Sequence, residues 1–431
     1  MNKLFKFPLK QHIGAPSEPV VKEGEDVKRG QLIAKKPDDK LGCNIHSSVS
    51  GKVKKITESK IEIEADKNQS DDYVKLISTN PLDLIMEAGI VGLGGAGFPT
   101  YAKLGKAFEN GGYVLVNAAE CEPILSHNID SIKNNPSQLI EGLKIVMDIV
   151  KADKGIIAIK KKHKEEIEIL KSKIDDSRIS VFELEDMYPM GEERAIVREV
   201  LGRLLDVNDL PLAAQAIVIN AETVCKIEEA VDLKKPLIDK DLTVAGKLKI
   251  GLQHIFHNMP IGMPVSDMFE KAGGIGDEYG EIIMGGPFTG KRTDLDSPIV
   301  KTTGGLIATE EFWKGPEKIG ILVCACGANE DRLREIAESM GSEVVGVEYC
   351  KQAHKMKNGA LKCENPGHCP GQVQKVMALK KDGAQALLIS NCTDCSNTVM
   401  SCAPQLKLPV YHCTDGALRS VNHKLIRRIK K

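Results

Sequence analysis

The sequence predicts a multidomain α/β protein: an all-β module, then two blocks of alternating strands and helices with a small α+β module between them. Three observations carry this. The 431 residues suffice for about three domains at roughly 150 residues each. The apolar pattern changes along the chain, from short alternating runs to strands interleaved with helical spacing. A hydrophobic content of 42% with 28% charge belongs to a folded chain rather than a disordered one. Lys+Arg is 59 against Asp+Glu 60, so the field that gives nucleic-acid binders their affinity is missing and no nucleic-acid partner is expected. Aromatic residues make up only 4%, which also argues against base-stacking platforms.

Residues 1–75 contain EPVVKEGEDVKRGQLIAKK, CNIHSSVSGKVKKI and SKIEIEAD, with Gly24, Gly30, Gly42 and Gly51 at the breaks. Short strands joined by turns follow from that pattern. Residues 76–235 change to α/β order. Strands at 113–119, 155–160 and 216–220 alternate with helical patterns at 136–151, 163–173 and 191–204, which predicts a mainly parallel sheet. Residues 236–312 read as a small α+β module through LTVAGKL, the turn-rich HNMPIGMPV, a short helix at 265–272 and EIIMGGP, ending in an aperiodic run over 286–305. In residues 313–431 α/β alternation resumes. Strands at 318–323, 343–349, 386–390 and 408–412 are separated by helical patterns at 329–340, 371–382 and 397–402, and a last helix is expected over 415–429.

Two features carry chemistry. The first is GLGGAGFPTYAKL (92–104), followed by NAAECEP (117–123). Glycines ahead of a helix let backbone N–H groups approach a phosphate while the helix N-terminus supplies positive charge. A plain strand-to-helix turn would have the same composition. The whole set, with YPMGEERAIVREVLG (188–202) and NAETV (220–224), resembles the flavin-binding fold of RnfC-type electron-transfer subunits, which also occurs in the 51-kDa NADH-oxidising subunit of complex I. The flanks agree. HIGAPSEPVVKEGEDVKRGQLIA resembles the RnfC barrel-sandwich module, LTVAGKL with IGMPVSDMFEKAGG resembles its SLBB (β-grasp) module, and GGPFTG (285–290) resembles the segment that follows. The resemblance implies FMN against Gly92, Gly94, Gly95 and Gly97, with Lys103 at its phosphate and Asn117 and Glu120 at ribityl or ring. Tyr188, Gly191, Glu192 and Glu193 match a second contact segment, and Asn220 and Thr223 a third. Phe98 matches the aromatic that stacks on nicotinamide, so NADH is the implied donor. One departure is Leu93, where the complex I protein has arginine.

The second feature is cysteine. Nine of the 12 lie at or beyond Cys324, and no secretory leader or membrane-spanning apolar run is evident, so a cytoplasmic protein is expected, at most peripheral to a membrane complex. In a reducing compartment such clustering points to metal or redox chemistry rather than structural disulfides. RnfC proper continues into Cys-x2-Cys-x2-Cys-x3-Cys-Pro runs for [4Fe–4S] clusters. No such spacing occurs here, so no [4Fe–4S] ferredoxin domain is expected. Instead Cys324 and Cys326 follow the first predicted strand of the tail, Cys350 the second, Cys392 and Cys395 the third, and Cys413 the fourth. Loops at the carboxyl ends of parallel strands converge on one edge, so these groups are expected to meet. Either Cys392-Thr-Asp-Cys395 opens a helix as a dithiol/disulfide couple resolved by Cys324, Cys326 or Cys350, or Cys324, Cys350, Cys392 and Cys395 bind a [2Fe–2S] cluster. ILVCACGAN, the lone Cys350 and DGAQALLISNCTDC resemble hydrogenase delta subunits that carry such a cluster. Cys350, beside Lys351, is expected to be the most exposed thiol. Cys363 and Cys369, with His368 between them, read as a separate small-metal or labile-disulfide element. Cys43, Cys225 and Cys402 read as structural.

Taken together, an RnfC-like front joined to this tail resembles the electron-transfer proteins associated with D-proline reductase in amino-acid-fermenting clostridia. The implied function is passage of electrons from NADH through FMN and the cysteine centre to D-proline reductase or another reductase complex. A cobalamin reductase on the same front, or a docking adaptor with a vestigial flavin site, are the alternatives.

Overall fold

The computed structural model describes residues 3–427. The first strands, Leu4–Pro8, Asp26–Val27, Gly51–Ile56 and Lys60–Ala65, form one small antiparallel sheet, and Glu18–Pro19, Leu32–Lys35 and Ile45–His46 form a second. Lys60–Ala65 shows the two-residue period directly: Ile61, Ile63 and Ala65 point inward, and the charged residues between them face outward. This module shares its core with the later β module. Phe5, Phe7, Ile33 and Ile63 pack in one cluster with Leu242, Val244, Phe269 and Leu306. The later module is a mixed sheet in the order Gln253–Pro260, Asp239–Gly246, Gly305–Ala308, Ile282–Met284, Lys291–Arg292, with helix Val265–Lys271.

Between them in sequence lies a parallel sheet ordered Ile179–Leu184, Lys154–Lys160, Tyr113–Ala118, Ala216–Asn220. The order reverses between the last two strands, and in open α/β sheets the crevice beyond the carboxyl ends at such a reversal is where ligands bind. Helices Pro136–Val150 and Ala221–Asp232 cover one face. The first starts with proline, buries Leu139, Ile140, Leu143, Val146, Met147 and Val150 at helical spacing, and stops at Lys151 with φ +54°. The second is capped by the Asn220 side chain, which accepts from the N–H groups of Glu222 (2.9 Å) and Thr223 (3.3 Å).

The C-terminal sheet is parallel, ordered Glu343–Tyr349, Lys318–Val323, Ala386–Ile389, Val410–His412. Its order reverses around the central strand Lys318–Val323. Between Tyr349 and helix Val373–Lys381 the chain makes a two-stranded hairpin, Ala353–Lys355 with Leu361–Cys363, which the sequence pattern did not announce. Helix Thr393–Cys402 begins four residues before the expected 397, directly after Cys392. The last described helix is Asp415–Ser420, shorter than expected, and residues 428–429 of the expected helix lie outside the described residues. Among the described residues no helix is long and apolar enough to cross a membrane.

Candidate redox site

The glycine loop reaches the carboxyl edge of the first parallel sheet at its point of reversal. Leu93 N–H donates to Thr223 Oγ1 at 3.0 Å. Gly94 lies so close to Asn220 that a Cβ there would sit 2.4 Å from its Nδ2, so the cap residue and the loop exclude any side chain at position 94. A Cβ at Gly95 would meet nothing within 4 Å, which leaves open space on the outer side of the loop. Gly97 has φ +73°, the left-handed region that glycine enters without strain. Phe98 is partly exposed, at 38%. The helix that follows the loop, Thr100–Leu104, has five residues and no side-chain cap, so the macrodipole expected to favour phosphate is reduced to a single turn.

Lys103 is neither free in solvent nor isolated. Its ammonium donates to Glu193 (2.5 Å) and to the carbonyl of Val218 (2.7 Å). Asn117 Nδ2 donates to the Gly191 carbonyl at 2.9 Å and its Oδ1 accepts from Ala119 N–H at 3.1 Å. Glu120, with φ +37°, accepts from Asn128. Glu192 caps helix Glu193–Leu201. The three segments quoted for the flavin are therefore brought together: 92–104, 117–123 and 188–193, with Asn220 and Thr223 beneath the loop. The residues fit a flavin in the features the structure displays, a glycine cradle closed below by Asn220 and open above Gly95.

Beyond this edge lies a group of seven cysteines. The thiol sulfurs of Cys324, Cys350 and Cys395 are all within 4.8 Å of one another, and all three residues are buried. Cys392 is hydrogen-bonded to Cys324, Cys326 and Cys395. Cys326 also meets Cys363, and Cys395 also meets Cys369. The C-terminal strands explain this convergence. Cys324 follows strand Lys318–Val323, with its N–H on Ser390 Oγ at 3.0 Å, and Cys350 N–H bonds the Val323 carbonyl at 2.9 Å. Gln372, fully buried, sends its Nε2 toward the sulfurs of Cys350 (3.0 Å), Cys369 (3.5 Å) and Cys395 (3.6 Å), while its Oε1 has no partner.

Hydrogen bonds among the thiols split their acidities. Those from Cys326 and Cys350 hold Cys324 well below the usual thiol range, and those from Cys324 and Cys326 do the same for Cys392. Donation toward Cys324 pushes Cys326 and Cys395 upward. Cys369 is lowered to about 7 by its bonds with Cys395, Thr398 and Gln372. A metal ion takes thiolates as ligands, at about 2.3 Å each, which places tetrahedral sulfurs about 3.8 Å apart. Three mutually close thiols beside an unpartnered buried amide oxygen fit such a centre.

The segment from Tyr188 to Arg194 touches both regions. Tyr188, in a cis bond to Pro189, exchanges two hydrogen bonds with Thr393, beside Cys392: its N–H to Oγ1 at 3.0 Å and its carbonyl from N–H at 3.1 Å. Its hydroxyl donates to the carbonyl of Cys326, and burial raises that hydroxyl's pKa well above the usual value. Its ring stacks on Phe288, centroids 3.7 Å apart and 2° from parallel. Glu122 holds Phe288 in place by accepting from the N–H groups of Phe288 (2.8 Å) and Thr289 (2.9 Å). Gly191 N–H points at Cys121 Sγ, 3.2 Å away, and Arg194 donates to the Cys363 carbonyl at 2.5 Å.

Three expectations are corrected. Cys350 is not the most exposed thiol: at 3% it is enclosed by Cys324, Cys395 and Gln372. Cys363 and Cys369 are not a separate element with His368. The end of the hairpin brings Cys363, and the turn after it Cys369, to the common centre, whereas His368 is exposed near Glu199 at 3.9 Å. Cys413 does not join the thiol group. It packs into the neighbouring core with Ile319, Ile321 and Phe312, where burial raises its pKa to about 12. Cys43 and Cys402 are buried, and Cys225 is half-buried against the core of the first parallel sheet. Gln372, Thr393 and Arg194 were missed; none has a local sequence signal.

Comparison with known proteins agrees with this geometry. Residues 85–229 match the Nuo51 FMN-binding domain and residues 1–71 the RnfC barrel sandwich hybrid domain. The chain is 34% identical over 325 residues to a component of the proton-translocating ferredoxin:NAD(+) oxidoreductase complex of Clostridium ljungdahlii, spanning 71% of this chain and 70% of the relative. It is 33% identical over 321 residues to the counterpart in the Na(+)-translocating complex of Acetobacterium woodii, spanning 70% and 72%. It is 36% identical over 224 residues to the cobalamin reductase PduS of Salmonella typhimurium, spanning 52% and 48%. An FMN-binding domain between the β modules, with relatives of this kind along most of its length, makes the chain a member of the RnfC-like family of electron-transfer oxidoreductases.

Proposed function

We propose that this protein carries electrons from NADH to a reductase partner, with FMN at the glycine loop as entry and the cysteine group as exit. The observation that carries the proposal is the Tyr188–Arg194 segment, whose Gly191 and Glu193 bind the loop side and whose Tyr188 and Arg194 bind the backbone of Cys326 and Cys363. Bound FMN would supply a centre that accepts a two-electron hydride and releases electrons singly or in pairs. Gly92, Gly94, Gly95, Gly97, Asn117, Glu120, Tyr188, Gly191, Glu192, Asn220 and Thr223 would hold it, with Lys103 and Glu193 as the ion pair beside its phosphate and Phe98 open to nicotinamide.

At the exit, Cys324, Cys350, Cys392 and Cys395 are the proposed ligands of an iron centre of the [2Fe–2S] kind. Proposed domain limits are 1–75, 76–235, 236–312 and 313–431, although the first and third share a core. The partner proposed is D-proline reductase, which makes the protein of the PrdC type and cytoplasmic. What supports this is the cysteine-rich tail, whose loop thiols meet in one buried cluster. A second reading, cobalamin reduction, is favoured by the PduS likeness over 224 residues. The purified protein is expected to be yellow, with flavin absorbance bleached by NADH. Anaerobic mixing with proline reductase should restore the oxidised spectrum only when D-proline is present; reoxidation by cob(II)alamin alone would favour the second reading. A colourless protein without flavin affinity overturns both.

A further inference from the structure

One stretch of chain both builds part of the thiol group and carries a charge of its own. Residues 350–381 hold seven lysines against one glutamate, with no arginine and no aspartate, in a chain whose net charge is −1. The same stretch brings Cys350, Cys363, Cys369 and Gln372 to the site. Lys351, Lys355, Lys357, Lys380 and Lys381 are exposed. The acids beside them are already engaged: Glu348 pairs with Lys375 at 2.6 Å, Glu364 faces His354 at 3.4 Å, and Glu330 pairs with Arg334 at 2.7 Å. Three large apolar side chains lie open on the same stretch and its approach, Tyr349 at 39%, Val373 at 48% and Met377 at 55%. Val373 and Met377 are one turn apart on helix Val373–Lys381, whose buried side is Val376 and Leu379, so they share its outer face with Lys380 and Lys381. Lys351 and Val373 are the chain neighbours of Cys350 and Gln372, whose Sγ and Nε2 are 3.0 Å apart, so the end of strand Glu343–Tyr349 and the start of the helix meet at one place. Cys369 lies there too, its Sγ accepting from Gly371 N–H at 3.3 Å and Gln372 Nε2 at 3.5 Å. It is the one member of the thiol group that is only half-buried, so the group comes nearest to solvent on this side.

We infer that this face, formed by the lysine-bearing hairpin, Tyr349 and the outer side of helix Val373–Lys381, is where the electron acceptor docks, and that the acceptor is a redox protein with an acidic surface around its own centre. The inference deepens the electron-transfer reading above and rests on it. An apolar middle with a polar rim is the anatomy of a protein interface, and a rim of one sign steers an oppositely charged partner into register and speeds its encounter. Docking here sets the partner beside Cys369, on the side where the thiol group is least enclosed. RNA is the less favoured occupant, because phosphate recognition draws on the paired donors of arginine and the stretch has none.

The test uses the full chain, purified anaerobically, with the proline reductase complex as probe. Flavin is bleached with NADH, and its reoxidation by the reductase with D-proline is followed by stopped flow. The second-order rate is expected to fall about tenfold or more between about 0.01 M and about 1 M ionic strength. Lys355→Glu/Lys357→Glu and Lys380→Glu/Lys381→Glu should each slow the reaction about tenfold at low salt and flatten its salt dependence, with flavin bleaching and iron content as in the parent. Lys28→Glu/Lys67→Glu, on the first β module, should change neither rate nor slope. Carbodiimide, which joins an amine to a carboxylate with loss of water, should link lysines within 351–381 to acidic residues of the reductase. A rate indifferent to salt, equal slowing by the Lys28/Lys67 variant, cross-links on other lysines or none at all, or face variants that lose RNA binding without slowing reoxidation would overturn the inference. Failure of the underlying reading shows separately, in the protein alone, as flavin that NADH does not bleach.

Discussion

Single residues decide what the glycine loop can accept. Gly94→Ala forces its methyl group onto the Asn220 amide, which is fixed by two cap hydrogen bonds. Losing that cap costs about 1 kcal/mol, so the midpoint of urea unfolding should fall and flavin content with it. Gly95→Ala meets no neighbour. It should leave the unfolding midpoint unchanged and still lower FMN affinity, measured by fluorescence titration, because the methyl occupies the cradle; equal affinity would show that flavin does not lie there. His257 sets a pH test elsewhere. Hydrogen bonds to Asp241 and Asp130 raise it to about 9 from an ordinary 6.5, with burial opposing. Its protonated form is favoured on folding, so its contribution is complete below pH 6.5 and is lost as pH rises through 9. His257→Gln should therefore be less stable than the parent in acid and neutral buffer, and the two urea midpoints should converge above that range.

Among elements, the Tyr188–Arg194 segment and the hairpin control the cysteine centre. Tyr188→Phe keeps the ring on Phe288 but leaves the Cys326 carbonyl without its donor, a loss of about 1–3 kcal/mol. Equilibrium unfolding should detect it, and no change would mean that water replaces the hydroxyl. Gln372→Ala removes an N–H donor shared by three sulfurs. Such bonds stabilise the more negative, reduced state, so the reduction potential of an iron centre there should fall, read by anaerobic dye titration. The elements also separate what was legible from what was not. Strands Lys318–Val323 and Glu343–Tyr349 and the site thiols Cys324, Cys350 and Cys392 could be placed because period and strand-end position are local properties. The hairpin could not, since three-residue strands rich in lysine carry no period, and with it went the membership of Cys363 and Cys369. Cys413 misled for the same reason: its position after a strand was right, but the helix that follows turns it into the core.

For the whole molecule, the first β module and the module at 239–308 form one body through a common core, although more than 170 residues separate them in the chain. Ion pair Arg29–Asp239, at 2.6 Å, and the Lys6 N–H bond to the Gly262 carbonyl tie the same two regions. Neither could be read from sequence, because long-range packing leaves no periodic trace. The burial of the cysteine quartet has a consequence for how the protein is made. Cys324, Cys350, Cys392 and Cys395 are 2–3% exposed in one buried cluster with Tyr188 and Phe288, so the closed chain would bar iron from the proposed ligands. An iron centre at this quartet would therefore have to be loaded before the chain closes over it, with delivery to a nascent or partly open chain. The finished apoprotein should take up iron and sulfide no faster than it opens locally. Stopped absorbance traces at rising sub-denaturing urea should then show loading accelerate in step with amide exchange in residues 353–372, tying the supply of active protein to the timing of its synthesis.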